Sequence, residues 1–264
     1  MRSVRFGFTV IEILVVIGII GVLMAILLPS LERVRHQGYI VKCAANLQQL
    51  GEGLQIYSND NHGNYPRTTY NPAAPYTKGT GVTATDPFAA GGPAANDLTA
   101  PLFLLLRTQK IPNAMMICPY NDVNSFTPDA AQPLTQSNFT DWTKNLGYSY
   151  ANPYPSASAA AKEYRLSGHL SSEFPLMADL NPGPKPYGGN IASITVNSPW
   201  SQKKKANSDN HEEDGQNVLY ADGHVDWKTT VFCGPNNDNI YTTQDGQIEA
   251  SPVDKNDSVL LPAQ

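Results

Sequence analysis

Apolar positions along the chain follow more than one rhythm. From Phe8 to Leu28 they are nearly continuous, 21 residues whose only ionisable side chain is Glu12. At ~1.5 Å per residue, an α-helix of that length crosses the ~30 Å hydrocarbon core of a bilayer. Beyond Pro29 the apolar positions are Ile40, Cys43, Leu47, Leu50, Leu54 and Tyr57, steps of three and four that mark one face of a helix. One long helix over residues 8–58 is therefore predicted, transmembrane over 8–28 and amphipathic afterwards. Its stripe needs a sheet or another helix to cover it. Gly51 and Gly53 weaken the last turns by up to ~1 kcal/mol each relative to alanine.

The helix exits through Tyr57-Ser-Asn-Asp-Asn-His-Gly-Asn-Tyr-Pro66, a run of turn-formers without EF-hand spacing, which reads as a C-cap and turn. Residues 67–100, rich in Pro, Gly, Ala and Thr, read as a surface excursion without a core of its own. Short elements follow: a helix over 98–111, a buried strand over 115–119 ending at Pro119, a strand over 141–150, a helical turn over 156–164 and a strand over 173–180 closed by Asn-Pro-Gly. Two β-favouring runs flank Asp222-Gly223, which predicts a two-residue type I′ hairpin pairing Tyr220 with Val225 and Val218 with Trp227. The segment after Cys233 is polar and turn-rich and is expected to be loosely ordered.

The 264 residues, with 41% hydrophobic content, suffice for the helix and one domain of about 200 residues. A net charge of −5 with a single basic run, Lys203-Lys204-Lys205, argues against nucleic acid as a partner, because phosphate binding requires clustered cations. His169, His211, Asp222, His224 and Asp226 are ligand-type residues, but no His-Glu-x-x-His, Cys-x-x-Cys or Gly-x-Ser-x-Gly motif occurs. No catalytic residue and no metal is expected. The three cysteines allow one disulfide in an oxidising compartment. Cys118–Cys233 is the expected pair, with Cys43 a small buried hydrophobe on the helix stripe.

Glu12 is the anomaly of the apolar run. A lone carboxylate at membrane depth costs a few kcal/mol unless it is protonated or paired, and nothing basic lies within one turn of it. A secretory signal peptide would be shorter and would end in a small-residue cleavage site, and none follows Leu28. The stretch Gly7-Phe8-Thr9-Val10-Ile11-Glu12 resembles the processing site of type IV prepilins and type II secretion pseudopilins. The resemblance implies a leader over residues 1–7, cleavage after Gly7 by a prepilin peptidase, and methylation of the new N-terminus, Phe8. It makes Glu12 the partner of the Phe8 α-amino group of a neighbouring subunit, and Pro29 matches a proline many members carry. It also sets the orientation, since Arg33, Arg35 and Lys42 beyond the span offset Arg2 and Arg5 before it.

The segment from His211 to Trp227 resembles a prepilin-associated domain marked by a histidine and Asp-Gly, here His211, Asp222 and Gly223, with a gap one residue longer than the pattern's. Together these imply an α+β fold: a long N-terminal helix packed on a C-terminal antiparallel sheet domain over 59–264. They imply a non-enzymatic subunit of a pilus-like or secretion-pseudopilus filament, single-pass in a bacterial inner membrane, with the domain periplasmic or in an extracellular filament. Its partners would be the peptidase, further pilin-like subunits and an inner-membrane assembly platform. The alternative is a membrane-tethered binding module or hydrolase that borrows the same export route. No cofactor is expected beyond a calcium ion in the C-terminal loop, near Asp238, Asp245 and Asp254.

Overall fold

The computed structural model describes residues 9–120, 135–184 and 191–264; the expected leader, with Gly7 and Phe8, lies outside them. Helix α1 runs over Val10–Asp60. The chain divides into two compact units, one up to Tyr39 and one from Ile40 to Gln264. In the first, every side chain from Thr9 to Arg35 is exposed.

In the second unit all six stripe positions, Ile40, Cys43, Leu47, Leu50, Leu54 and Tyr57, are buried. Burial of side chains of this size stabilises by about 1.5–3 kcal/mol each. All but Ile40 share one core with helix α2 (Ala100–Gln109) and the sheet. The two late glycines explain themselves here: a Cβ on Gly51 would stand 2.8 Å from Leu219 Cδ1, and one on Gly53 would stand 2.7 Å from Ile111 Cδ1. The helix tolerates both because the sheet and the segment after α2 approach its backbone.

The remaining elements are short: α3 (Trp142–Asn145), β1 (Tyr148–Ala151), α4 (Ala157–Ala161), β2 (Pro175–Asp179), α5 (Trp200–Lys205), β3 (Gln216–Tyr220), β4 (Val225–Lys228) and β5 (Leu260–Leu261). The five strands form one antiparallel sheet in the order β4-β3-β2-β1-β5. The fold is α+β, a long helix followed by an antiparallel sheet.

Four local expectations are corrected. Residues 115–119 are not a strand: Asn113–Met116 is a 3₁₀ turn, started by Met115 N–H donating to Pro112 O at 2.9 Å. The front of 141–150 is helical because Asn145 answers Asp141 twice, its side-chain oxygen accepting from Asp141 N–H and its N–H donating to Asp141 O. The segment after Cys233 is ordered: Val259, Leu260 and Leu261 are buried and β5 pairs with β1. The hairpin register is shifted by one, with Leu219 opposite Val225 and Asn217 opposite Trp227. Its loop holds three residues, Ala221 to Gly223, closed by Tyr220 N–H to His224 O and Gly223 N–H to Tyr220 O, both 2.9 Å. Gly223 takes the positive φ of +93° that ends such a turn. One residue of slip exchanges the faces, so Asn217, Leu219, Val225 and Trp227 share one face.

The excursion over 67–100 is held by polar side chains. Buried Asp97 accepts from Thr80, Thr99, Ala100 and Asn138, and Asn96 ties Asn71 to Ala74.

Candidate functional site

Two places carry the residues singled out from the sequence. The first is the start of α1. Thr9 precedes the helix, and its N–H and Oγ1 donate to Glu12 Oε2 at 2.7 and 2.8 Å, while Glu12 N–H donates to Thr9 Oγ1 at 3.3 Å. This is a reciprocal capping box: two of the helix's unsatisfied N–H groups are answered by side chains three residues apart. The carboxylate thus has a partner in its own chain, which the search for a basic neighbour missed. Both accepted bonds fall on Oε2, and Oε1 takes none among the described residues. Among the described residues one helix, α1, is long and apolar enough to cross a membrane, and none of its apolar window is buried. Pro29 sits inside the helix, where its missing N–H leaves Ala25 O without its usual donor.

The second place is around His211, which ends the 3₁₀ turn Asp209–His211 and is fully buried. Its Nε2 lies 3.3 Å from Asp179 Oδ2 and 3.6 Å from Cys118 Sγ. The ring packs against Tyr120, centroids 5.4 Å apart, and meets the edge of Trp227 at 5.3 Å. The signature histidine therefore reaches the hairpin through Trp227. Asp222 and Gly223 belong to the turn itself, where Asp222 Oδ1 accepts from His224 N–H at 3.1 Å and pairs with the His224 ring. The His224 N–H and imidazole hold the Asp222 carboxyl below the usual carboxylate range. His224 stacks on Tyr220 at 4.4 Å; these are the contacts of a solvated hairpin end.

The cysteine expectation is overturned. Cys118 bonds to Cys43, 75 residues away in sequence, and Cys233 is a free thiol whose pKa burial pushes up to about 12. The stripe places Cys43 on the buried face of α1, and the segment after the 3₁₀ turn brings Cys118 to it; Cys233, beyond β4, lies elsewhere. Asp179 was also missed. It ends an otherwise apolar strand, and an acidic residue in that position was the available signal.

Comparison with known proteins supplies one partial match. The chain is 40% identical over 62 residues to "Type II secretion system core protein G" of Escherichia coli (strain K12), which is 24% of this chain and 42% of that protein. It is similar to a pseudopilin. The chain spans about two fifths of that relative's length. No family model and no solved structure matches.

Near the calcium expected in the tail, the carboxylates are engaged by the chain's own donors. Asp238 Oδ2 is occupied by Ser258 N–H and Oγ–H at 2.8 and 2.9 Å, Asp254 Oδ1 by Asn256 N–H at 2.9 Å, and Asp245 Oδ1 by the Thr243 hydroxyl. Among the described residues these carboxylates form no group of three converging ligands. They tie the tail down, as does Asp257, which accepts from Gln244 and Val253 N–H. Burial raises the pKa of Asp238 to about 7 and that of Asp257 to about 6, against these donors.

Proposed function

We propose that the chain is a filament subunit of the pilin or pseudopilin kind, anchored through α1 in a bacterial inner membrane with its sheet domain on the extracytoplasmic side. The observation that carries this reading is the exposure of every side chain from Thr9 to Arg35 on an almost wholly apolar helix. Such a surface needs lipid before assembly and other helices after it. The similarity to the E. coli secretion protein supports it. In this reading a prepilin peptidase cuts between Gly7 and Phe8 and methylates Phe8. The α-amino group of Phe8 in one subunit then meets Glu12 of the next, with the platform of the secretion or pilus machinery feeding subunits in. Oε1 of Glu12, which takes no bond among the described residues, suits that role, because the carboxylate can accept an ammonium without giving up its capping bonds.

The test is mass spectrometry of the N-terminus of membrane-extracted protein, together with imaging of sheared surface filaments. A methylated Phe8 and filaments containing the chain are expected. Gly7→Trp should leave full-length precursor in the membrane, and normal accumulation of protein beginning at Phe8 in that variant would refute the processing assignment.

A further inference from the structure

Cys43, Cys118, Asp179 and His211 are each fully buried. One ligand atom from each lies within 4.8 Å of the others. They arrive from four places: α1, the segment after the first 3₁₀ turn, the end of β2 and the second 3₁₀ turn. A disulfide alone does not call for this company. Its sulfurs are weak acceptors, whereas a carboxylate and an imidazole sealed beside them bear a desolvation cost of several kcal/mol. Sulfur and carboxylate oxygen also converge on the same ring atom, His211 Nε2, which can offer a proton to only one of them. Two sulfurs, one imidazole nitrogen and one carboxylate oxygen within mutual reach are the donor types that zinc takes in tetrahedral sites.

The surroundings orient Asp179 as a metal ligand requires. Asp179 Oδ2 accepts from Asn217 N–H at 2.7 Å and Asn217 Nδ2 at 3.3 Å, and Oδ1 accepts from Asn210 Nδ2 at 3.2 Å. Asn210 is itself held by Gly147 O at 2.7 Å. Such outer partners fix a ligand's direction and raise its affinity for the ion.

We propose that, with the disulfide open, this cluster is a zinc site with Cys43 Sγ, Cys118 Sγ, His211 Nε2 and Asp179 Oδ2 as ligands, and that closing the disulfide releases the metal. Opening takes two electrons and two protons from a dithiol, which itself becomes a disulfide. Zn²⁺ then displaces one proton from each thiol, giving two Zn–S bonds; closing runs the other way, with a disulfide oxidant taking two electrons and becoming a dithiol as the two Zn–S bonds break, the S–S bond forms and Zn²⁺ leaves. The disulfide ties α1 to the segment that carries Cys118; the metal would add β2 and the turn that carries His211. The signature histidine is, on this account, a ligand, although no metal is expected from the sequence motifs.

The test uses the full chain in detergent micelles, reduced by a phosphine under nitrogen, stripped with a chelator and titrated with Co²⁺ as a spectroscopic probe. One equivalent should produce the intense visible bands of tetrahedral cobalt and the near-ultraviolet charge transfer of two thiolates. One equivalent of Zn²⁺ should bleach both, and the oxidised chain should take up less than a tenth as much. Cys233→Ser should leave the spectrum intact, and Asn210→Ala should weaken zinc binding roughly 10–100-fold. If reduction unfolds the domain, one equivalent of Zn²⁺ should restore its near-ultraviolet circular dichroism. Absence of the cobalt spectrum in a folded reduced chain, failure of zinc to refold an unfolded one, or loss of the spectrum in Cys233→Ser would each overturn the site. None of these readouts depends on filament assembly.

Discussion

The two stretches of α1 solve opposite problems with the same backbone. Up to Arg35 every side chain is exposed, and the apolar residues run all the way round. From Ile40 the apolar residues narrow to a stripe, and that stripe is buried in the chain's own core. A helix that is apolar on all sides has no inward face, so its partners come from outside the chain; one with a stripe is completed by its own domain. Substitutions in the two stretches should therefore fail in different assays.

The largest effect is expected at Glu12. Under the proposed pairing, Glu12→Ala leaves a neighbour's ammonium buried without a counter-charge, a loss of about 3–5 kcal/mol, which is more than a hundredfold in filament yield at unchanged membrane insertion. Glu12→Gln separates the two roles of this residue, since an amide still closes the capping box with Thr9 but carries no charge. Sheared-filament yield should fall as far for Gln as for Ala. Wild-type yield from Gln would assign Glu12 to the cap alone.

In the second stretch, Leu50→Ala should destabilise the sheet domain by about 2–5 kcal/mol, read as a lowered thermal midpoint in detergent. Ile17→Ala, on the exposed helix, should leave that midpoint unchanged. Gly51→Ala comes next, at about 1–3 kcal/mol of overpacking because its methyl would press on Leu219, offset by the up to ~1 kcal/mol that alanine gains over glycine in a helix. Gly21→Ala meets nothing within 4 Å and should leave the domain's midpoint where it is.

The smallest effect is a pH dependence confined to the second unit. Burial raises the folded pKa values of Asp238 and Asp257 to about 7 and about 6, above the usual carboxylate value of about 4, so between the unfolded and folded values the folded state binds more protons. Their contribution to stability is full below the unfolded pKa of about 4 and is lost as pH rises through 6 to 7. Amide exchange at Leu260 should be slower at pH 5 than at pH 8 after correction for intrinsic rates. Asp238→Asn should flatten that difference.

The helix was readable because its signals are local: a continuous run and a three-four stripe need no knowledge of distant residues, and every stripe residue proved buried. The hairpin was readable in place but not in register, since Asp-Gly serves both two- and three-residue loops and the choice rests on where Gly223 takes its positive φ. The cluster at His211 was not readable. Cys43, Cys118, Asp179 and His211 are far apart in sequence, and only the sheet order and the face of α1 decide that they meet. The segment 115–119 misled because Met-Met-Ile is apolar enough for a strand, while the hydrogen bond back to Pro112 turns it instead. The tail misled because β5 has only two residues, although Val259-Leu-Leu261 was a short apolar run that could have marked it.

The position of that last strand sets a clock on folding. Tyr150 and Ala151 of β1 wait for Leu261 and Leu260, residues the ribosome adds more than a hundred positions later. During that interval the apolar N-terminal run has long been made, while the sheet behind it still shows a bare edge that other strands can join. On the proposed reading, the apolar run is thus ready for a membrane before the domain can finish, and the β1 edge stays open until β5 arrives.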